Sequence, residues 1–266
     1  MKKILVLASI IVLGFTNGVL AKKTIKLATT TSTYETGILD YILSPFEKEN
    51  DVKVHIISVG TGKAIKLAEN GDVDIILVHA RKAEDKFVHQ GYGVNRRDVM
   101  YNDFIILGSA DDPAKISGSK NAVQSLKKIY ETGSLFVSRG DNSGTDKKEK
   151  YLWSEAGIKP EGNWYMQAGQ GMSTTLRIAD EKGAYVLVDR GTYLFHQKTI
   201  RLKLAVEGDK NLSNPYGVIA VNPHRHSHVK YQRAMSLIAW LTSPKCQNMI
   251  NKYKVRGNYL YHAVFK

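Results

Sequence analysis

Four times along this chain a short apolar segment runs into a turn of glycine, serine and threonine and then into a helix, and this recurrence limits the possible folds. The first unit is Ile25-Lys26-Leu27-Ala28, the hydroxyl run Thr29-Thr30-Thr31-Ser32-Thr33, then Tyr34-Glu35-Thr36-Gly37 and a helix expected from Ile38 to Asn50 with an interruption at Pro45. The second is the strand Val52–Val59, the turn Gly60-Thr61-Gly62 and a helix from Lys63 to Asn70, followed by the apolar strand Asp74–Val78. The third runs from Leu135-Phe136-Val137-Ser138 through Arg139-Gly140-Asp141-Asn142-Ser143-Gly144-Thr145 into a helix over Asp146–Ala156. The fourth opens at Gly169-Gln170-Gly171-Met172-Ser173-Thr174-Thr175, enters the helix Leu176–Lys182 and leads to the strand Ala184–Val188. Strands that alternate with helices imply a mostly parallel sheet, and ligands of such sheets bind beyond the carboxyl ends of the strands, where these turns lie. Two further apolar strands, Asp103–Leu107 and Tyr216–Val221, flank the third and fourth units; as crossing strands they would build one lobe from both chain ends and a second from the middle.

The first residues have the form of an export leader. Lys2 and Lys3 precede an apolar run from Ile4 to Phe15, and Val19-Leu20-Ala21 supplies small residues for cleavage after Ala21. That run is too short to span a bilayer, and no later segment approaches the roughly twenty apolar residues a spanning helix needs. Loss of Lys2 and Lys3 would take the formal net charge from +13 to +11. Export argues against nucleic acid as the partner of this basic chain, and an anionic small ligand or anionic surface fits better. Cys246 is the only cysteine, which excludes an intrachain disulfide and a cysteine-rich metal site.

A helix N-terminus needs one capping hydroxyl, so five in succession at Thr29–Thr33, with Ser173-Thr174-Thr175 in another turn, exceed what capping requires. The surplus suggests donors aimed at a ligand, and hydroxyls with free N–H groups at helix N-termini make an anion site. Arg139 adds a full positive charge beside Ser143 and Thr145, and Glu35 and Asp141 are the only acids in the four turns. A nucleotide-binding loop at Gly60-Thr61-Gly62-Lys63 is excluded by Ile57 and Ala64, which stand where glycine and a hydroxyl residue are needed. The Gly-x-Ser-x-Gly elbow of a hydrolase is absent around Ser143, so catalysis is not expected. His224, His226 and His228 alternate and could chelate a metal if extended, but an exposed loop without metal is the simpler expectation.

The segment Arg139–Thr145 resembles the Arg-x-Asp-x-Ser-Gly-Thr loop of periplasmic phosphate-binding proteins. Thr29–Gly37, together with Val59-Gly60-Thr61-Gly62 and Ser138-Arg139-Gly140-Asp141, resembles the tungstate-binding receptors of ABC importers, a likeness that spans Lys22–Lys266. The resemblance implies a two-lobed type II periplasmic-binding fold in the α/β class, each lobe a mostly parallel sheet flanked by helices, with the ligand in the interlobe cleft. Lobe I would comprise 22–107 and 217–266, and lobe II 108–216. It further implies a periplasmic monomer, without cofactor, that hands tungstate to a membrane permease, with molybdate or phosphate as alternative ligands. Carried over, Thr30, Thr31, Ser32, Thr61 and Gly62 would donate from one lobe, and Arg139, Ser173 and Thr174 from the other; Ser143 and Thr145 would line the site or only cap their helix. Tungstate offers only acceptors, whereas hydrogenphosphate carries an O–H that wants one. Asp141 would therefore accept that proton in a phosphate receptor, and in a tungstate receptor would turn away to cap the helix or hold Arg139.

Overall fold

The computed structural model describes residues 23–265, so the leader expected over 1–21 lies outside the described residues. The chain opens with β1 (Lys23–Thr30), α1 (Thr31–Glu35), α2 (Ile38–Asn50), β2 (Val52–Val59), α3 (Thr61–Glu69), β3 (Ile75–Val78), α4 (Arg81–His89) and the long β4 (Gly93–Gly108). The middle carries α5 (Ala122–Glu131), β5 (Phe136–Ser138), α6 (Gly144–Glu155), β6 (Tyr165–Gln167), α7 (Met172–Lys182), β7 (Val186–Asp189), α8 (Arg190–His196) and β8 (Lys203–Val206). It ends with β9 (Ser213–Val221), α9 (Tyr231–Leu241), α10 (Pro244–Lys252) and the short β10 (Lys254–Val255), β11 (Asn258–Tyr259) and β12 (His262–Ala263).

Strands β2, β1 and β3 run parallel, as strands joined through helices must. β9 returns antiparallel to β3, and β4 lies antiparallel to β9, so the sheet is mixed where the two long strands pass through it. From Gly93 to Asp103 β4 pairs with β9; from Phe104 onward it pairs with β7 and β8 instead. One strand thus serves two sheet regions, and the change falls where Asn102 faces Asn214.

Each region is buried on both faces, which is why its strands read as apolar runs rather than alternations. In the first, Leu27, Ile75 and Val218 pack under α2 and α9, while Ala28, Ile76 and Ile219 pack against α3 and α4. In the second, Phe104, Ile106 and Leu187 join α5 and Trp153 of α6, and Ile105, Leu107 and Val186 join Leu176 of α7.

Two details differ from the sequence reading. The hydroxyl run is not all loop: Thr31–Glu35 form the single turn α1, and Gly37 breaks it from α2 in a left-handed conformation at φ 75°. A Cβ there would also stand 2.9 Å from the Tyr253 hydroxyl, so residue 37 is restricted to glycine twice over. Pro45 does not interrupt α2, which continues to Asn50. Proline forfeits one backbone hydrogen bond, but buried Ile38, Leu39, Ile42, Leu43 and Phe46 hold the helix to the sheet on both sides of that gap.

Candidate functional site

Five helices begin at one place. Thr30 caps α1, its Oγ1 accepting from the Thr33 amide at 3.4 Å and lying 2.6 Å from the Thr33 hydroxyl. Ser143 caps α6, its Oγ accepting from the Asp146 amide at 3.3 Å. Asp189 caps α8, taking the Thr192 amide at 2.9 Å and its hydroxyl at 2.7 Å. The remaining two, α3 and α7, start at Gly60 and Gly171, which have no side chain to cap with. Glycine there leaves first-turn N–H groups free for a ligand, and lets the main chain approach it closely.

These starts surround a cavity of about 250 Å³ lined by Thr30, Thr31, Ser32, Glu35, Gly60, Thr61, His79, Arg139, Ser143, Gly144, Thr145, Gly171, Met172, Ser173, Thr174 and Thr192. Nine of the ten residues singled out from sequence are therefore together: Thr30, Thr31, Ser32, Thr61, Arg139, Ser143, Thr145, Ser173 and Thr174. Gly62 is the exception, an exposed residue of α3 outside the lining, and Gly60 stands there instead. The longer helices α3, α6 and α7 each contribute roughly half a positive charge at the N-terminus, strongest for anions within the first turn.

Arg139 brings the full charge. It is four-fifths covered, and its Nε donates to Asp141 Oδ2 at 2.8 Å. The other carboxylate oxygen of Asp141 accepts from the Ser143 amide at 3.1 Å, so both oxygens are spent on Arg139 and on the loop entering α6. Asp141 is absent from the lining. Glu35, the one carboxylate that lines the cavity, is exposed at the end of α1. With Nε tied down, the guanidinium keeps its terminal N–H groups for a ligand.

His79, at the end of β3, was not singled out from sequence. Asn214 Nδ2 donates to Asn102 Oδ1 at 2.7 Å and to the Tyr216 hydroxyl at 3.3 Å, so its Oδ1 accepts from His79 Nδ1 at 2.8 Å. That arrangement puts the proton on Nδ1 and leaves Nε2 unprotonated in the neutral ring. Desolvation pushes the imidazole below its ordinary pKa, with Arg139 acting in the same direction and Asn214 and Asp189 opposing. The ring stacks on Tyr216 at 4.8 Å, and the chain from His79 through Asn214 to Asn102 ends where β4 changes partners. No local pattern could reveal this, since His79 and Asn214 are 135 residues apart. Thr192 was missed as well, because Asp189-Arg190-Gly191-Thr192 carries a single hydroxyl residue, no more than a helix start requires.

The histidine cluster is put to other use. His226 Nε2 donates to the Glu69 carbonyl at 2.8 Å and His228 Nε2 to the Gly71 carbonyl at 2.9 Å, which satisfies acceptors where α3 ends. His224 is exposed. Among the described residues no group of three or more His, Cys, Asp or Glu is placed to hold a metal, and no helix is long and apolar enough to cross a membrane.

A two-region α/β fold whose crossing strands lie beside a donor-lined cavity defines the class of the solute-binding proteins, and the comparisons agree. A family model described as a PBP superfamily domain matches residues 18–245. The tungstate-binding protein TupA of Peptoclostridium acidaminophilum is 47% identical over 88% of this chain and 82% of that protein. Among solved structures, the tungstate ABC transporter from Geobacter sulfurreducens is 52% identical with a TM-score of 0.81, covering 88% of this chain and all of the other. The tungstate-binding protein TupA from Desulfovibrio alaskensis is 44% identical with a TM-score of 0.84, covering 92% of this chain and all of the other. The chain belongs to the PBP superfamily, in the family of the tungstate-binding proteins.

Proposed function

We propose that this chain is the solute-binding component of an ABC importer, exported to the periplasm, that binds tungstate in the cavity between its two halves and delivers it to a membrane permease as a monomer. One closing lobe is taken as residues 22–103 with 213–266 and the other as 104–212, following the change of partners along β4 and β9, a few residues from the division at 107 and 217 expected from sequence. Thr30, Thr31, Ser32 and Thr61 donate from the first lobe; Arg139, Ser143, Thr145, Ser173 and Thr174 donate from the second. The observation that carries the reading is the pairing of Arg139 with Asp141. It turns the only acid of that loop away from the cavity and leaves a lining rich in donors, in which exposed Glu35 is the one carboxylate. A proton-free tetrahedral dianion can use a donor at every oxygen, whereas the O–H of hydrogenphosphate calls for a carboxylate acceptor of the kind that Asp141, held by Arg139, does not offer. Ligand contact with both lobes favours the closed population, and closure is the state a permease can recognise. Binding proceeds without turnover: Ser143 caps a helix, and although Ser173 Oγ lies 3.0 Å from His196 Nε2, no carboxylate among the described residues bonds the other ring nitrogen of His196 to complete a triad.

Competition calorimetry with tungstate, molybdate, sulfate and phosphate at one ionic strength tests the reading. Tungstate is expected to bind at one site per chain and to be displaced by molybdate before sulfate or phosphate. Phosphate binding as tightly as tungstate would overturn it.

A further inference from the structure

A second cavity adjoins the first, sharing His79 and Gly144 as wall, and at about 670 Å³ it is the larger of the two. Its charged lining is entirely cationic: Arg81 and Lys82 from α4, Lys147, Lys148 and Lys150 from α6, and Lys210 ahead of β9. Arg81 is paired with Asp85, and Lys150 with Asp146. Among the described residues Lys82, Lys147, Lys148 and Lys210 have no carboxylate at ion-pair distance.

Lys148 separates this arrangement from an ordinary solvated face. Its ammonium is drawn in to donate to the carbonyls of Asn211 and Ser213, both at 3.0 Å, and lies 5.8 Å from the centre of the Tyr151 ring and 5.9 Å from that of Phe104. A free lysine would extend into water rather than surrender hydration to two neutral carbonyls. Asp209, the acid that acts on Lys148 through space, already accepts from the amides of Ala122 and Asn211. Lys82 reaches the same aromatic ring from α4, its Nζ 5.5 Å from the Tyr151 centre, so cations of α4 and α6 meet over one concavity.

We infer that this cavity is a second anion site, distinct from the tungstate pocket, and that it takes a small polyanion of the oligophosphate kind, with three or more negative charges. Three ammonium groups without a carboxylate partner, Lys82, Lys147 and Lys210, match that charge, Lys148 adds its one remaining N–H, and the volume is several times what a single tetrahedral oxyanion fills. The cations come from three separate segments around one hollow rather than in a row, which suits a compact polyanion better than an extended acidic peptide.

The test titrates inorganic triphosphate into protein already saturated with tungstate, so that the first pocket is closed to it, and compares the Lys82→Gln/Lys147→Gln variant. Triphosphate should bind once per chain without displacing tungstate, and the double variant should weaken it about tenfold or more, two charge-assisted contacts being lost. The variant should keep its tungstate affinity, which shows that it is folded and separates this test from that of the first site. Displacement of tungstate by triphosphate, no binding up to millimolar triphosphate, or binding indifferent to the two lysines would each overturn the assignment. So would a preference for tetraglutamate over triphosphate.

Discussion

Arg139→Ala is the most informative single change in the proposed tungstate pocket, because the structure separates what it removes from what it leaves. Its Nε belongs to Asp141, and the terminal nitrogens are the part free to meet an oxyanion. Two charge-assisted hydrogen bonds are worth about 1.5–3 kcal/mol each, so their loss should weaken tungstate binding by about two to four powers of ten. The substitution also strips Asp141 of its cation while the Ser143 amide still holds its other oxygen, leaving a carboxylate in place to repel the incoming dianion. Adding Asp141→Asn to Arg139→Ala should therefore restore affinity by about tenfold, whereas Asp141→Asn alone, in a protein that keeps Arg139, should weaken it. Calorimetry of the four proteins at about 0.15 M salt closes the cycle, with thermal unfolding of each checking the fold. Arg139→Ala within threefold of the parent, or an Asp141→Asn that strengthens tungstate binding by itself, would refute the assignment of charge recognition to Arg139.

Thr61→Val keeps the shape of a buried lining residue while deleting its hydroxyl, and calorimetry should show tungstate affinity falling about five- to tenfold, the net value of one hydrogen bond. Glu149, buried in α6 with its Oε1 accepting from the Tyr165 hydroxyl at 2.7 Å, has its carboxyl pushed up to about 7, first by desolvation. Because that pKa is raised above its ordinary 4.5, the stabilising contribution is complete below pH 4.5 and is lost as pH rises through 7. Denaturant melts from pH 5 to 8 should show that decline in the parent and a much flatter profile in Glu149→Gln. His226→Ala removes the bond to the Glu69 carbonyl and should cost about 1 kcal/mol by thermal or urea unfolding, with tungstate affinity unchanged.

How far the sequence carries depends on whether a feature is local. The turns Thr30–Ser32, Gly60-Thr61, Arg139–Thr145 and Ser173-Thr174 could be read directly, since a strand end, its capping residues and the following helix lie within a few positions. The misplacement of Gly62 was an error of two positions, a little over half a helical turn: the residue before the helix faces the cavity, and the second residue within it faces solvent. Pro45 misled because propensity was weighed without the apolar face that holds α2 in place. His79 lay beyond reach, because its role is set by an asparagine on β9 and the stacking of Tyr216, which only the assembled sheet brings near. The lysine cavity was illegible for the same reason: its cations look dispersed along the chain and converge only when α4, α6 and the segment before β9 are folded together.

The capless starts of α3 and α7 have a consequence for how such a receptor can change over time. Where Gly60 and Gly171 open their helices, the donors are main-chain amides, present whatever side chains the neighbouring positions carry. Substitution can retune the hydroxyls and the guanidinium, and with them the choice among oxyanions, yet only proline could delete one of the peptide N–H groups beneath. Preference for a particular cargo is thus open to selection one residue at a time, while the capacity to hold an anion at all is inherited with the backbone.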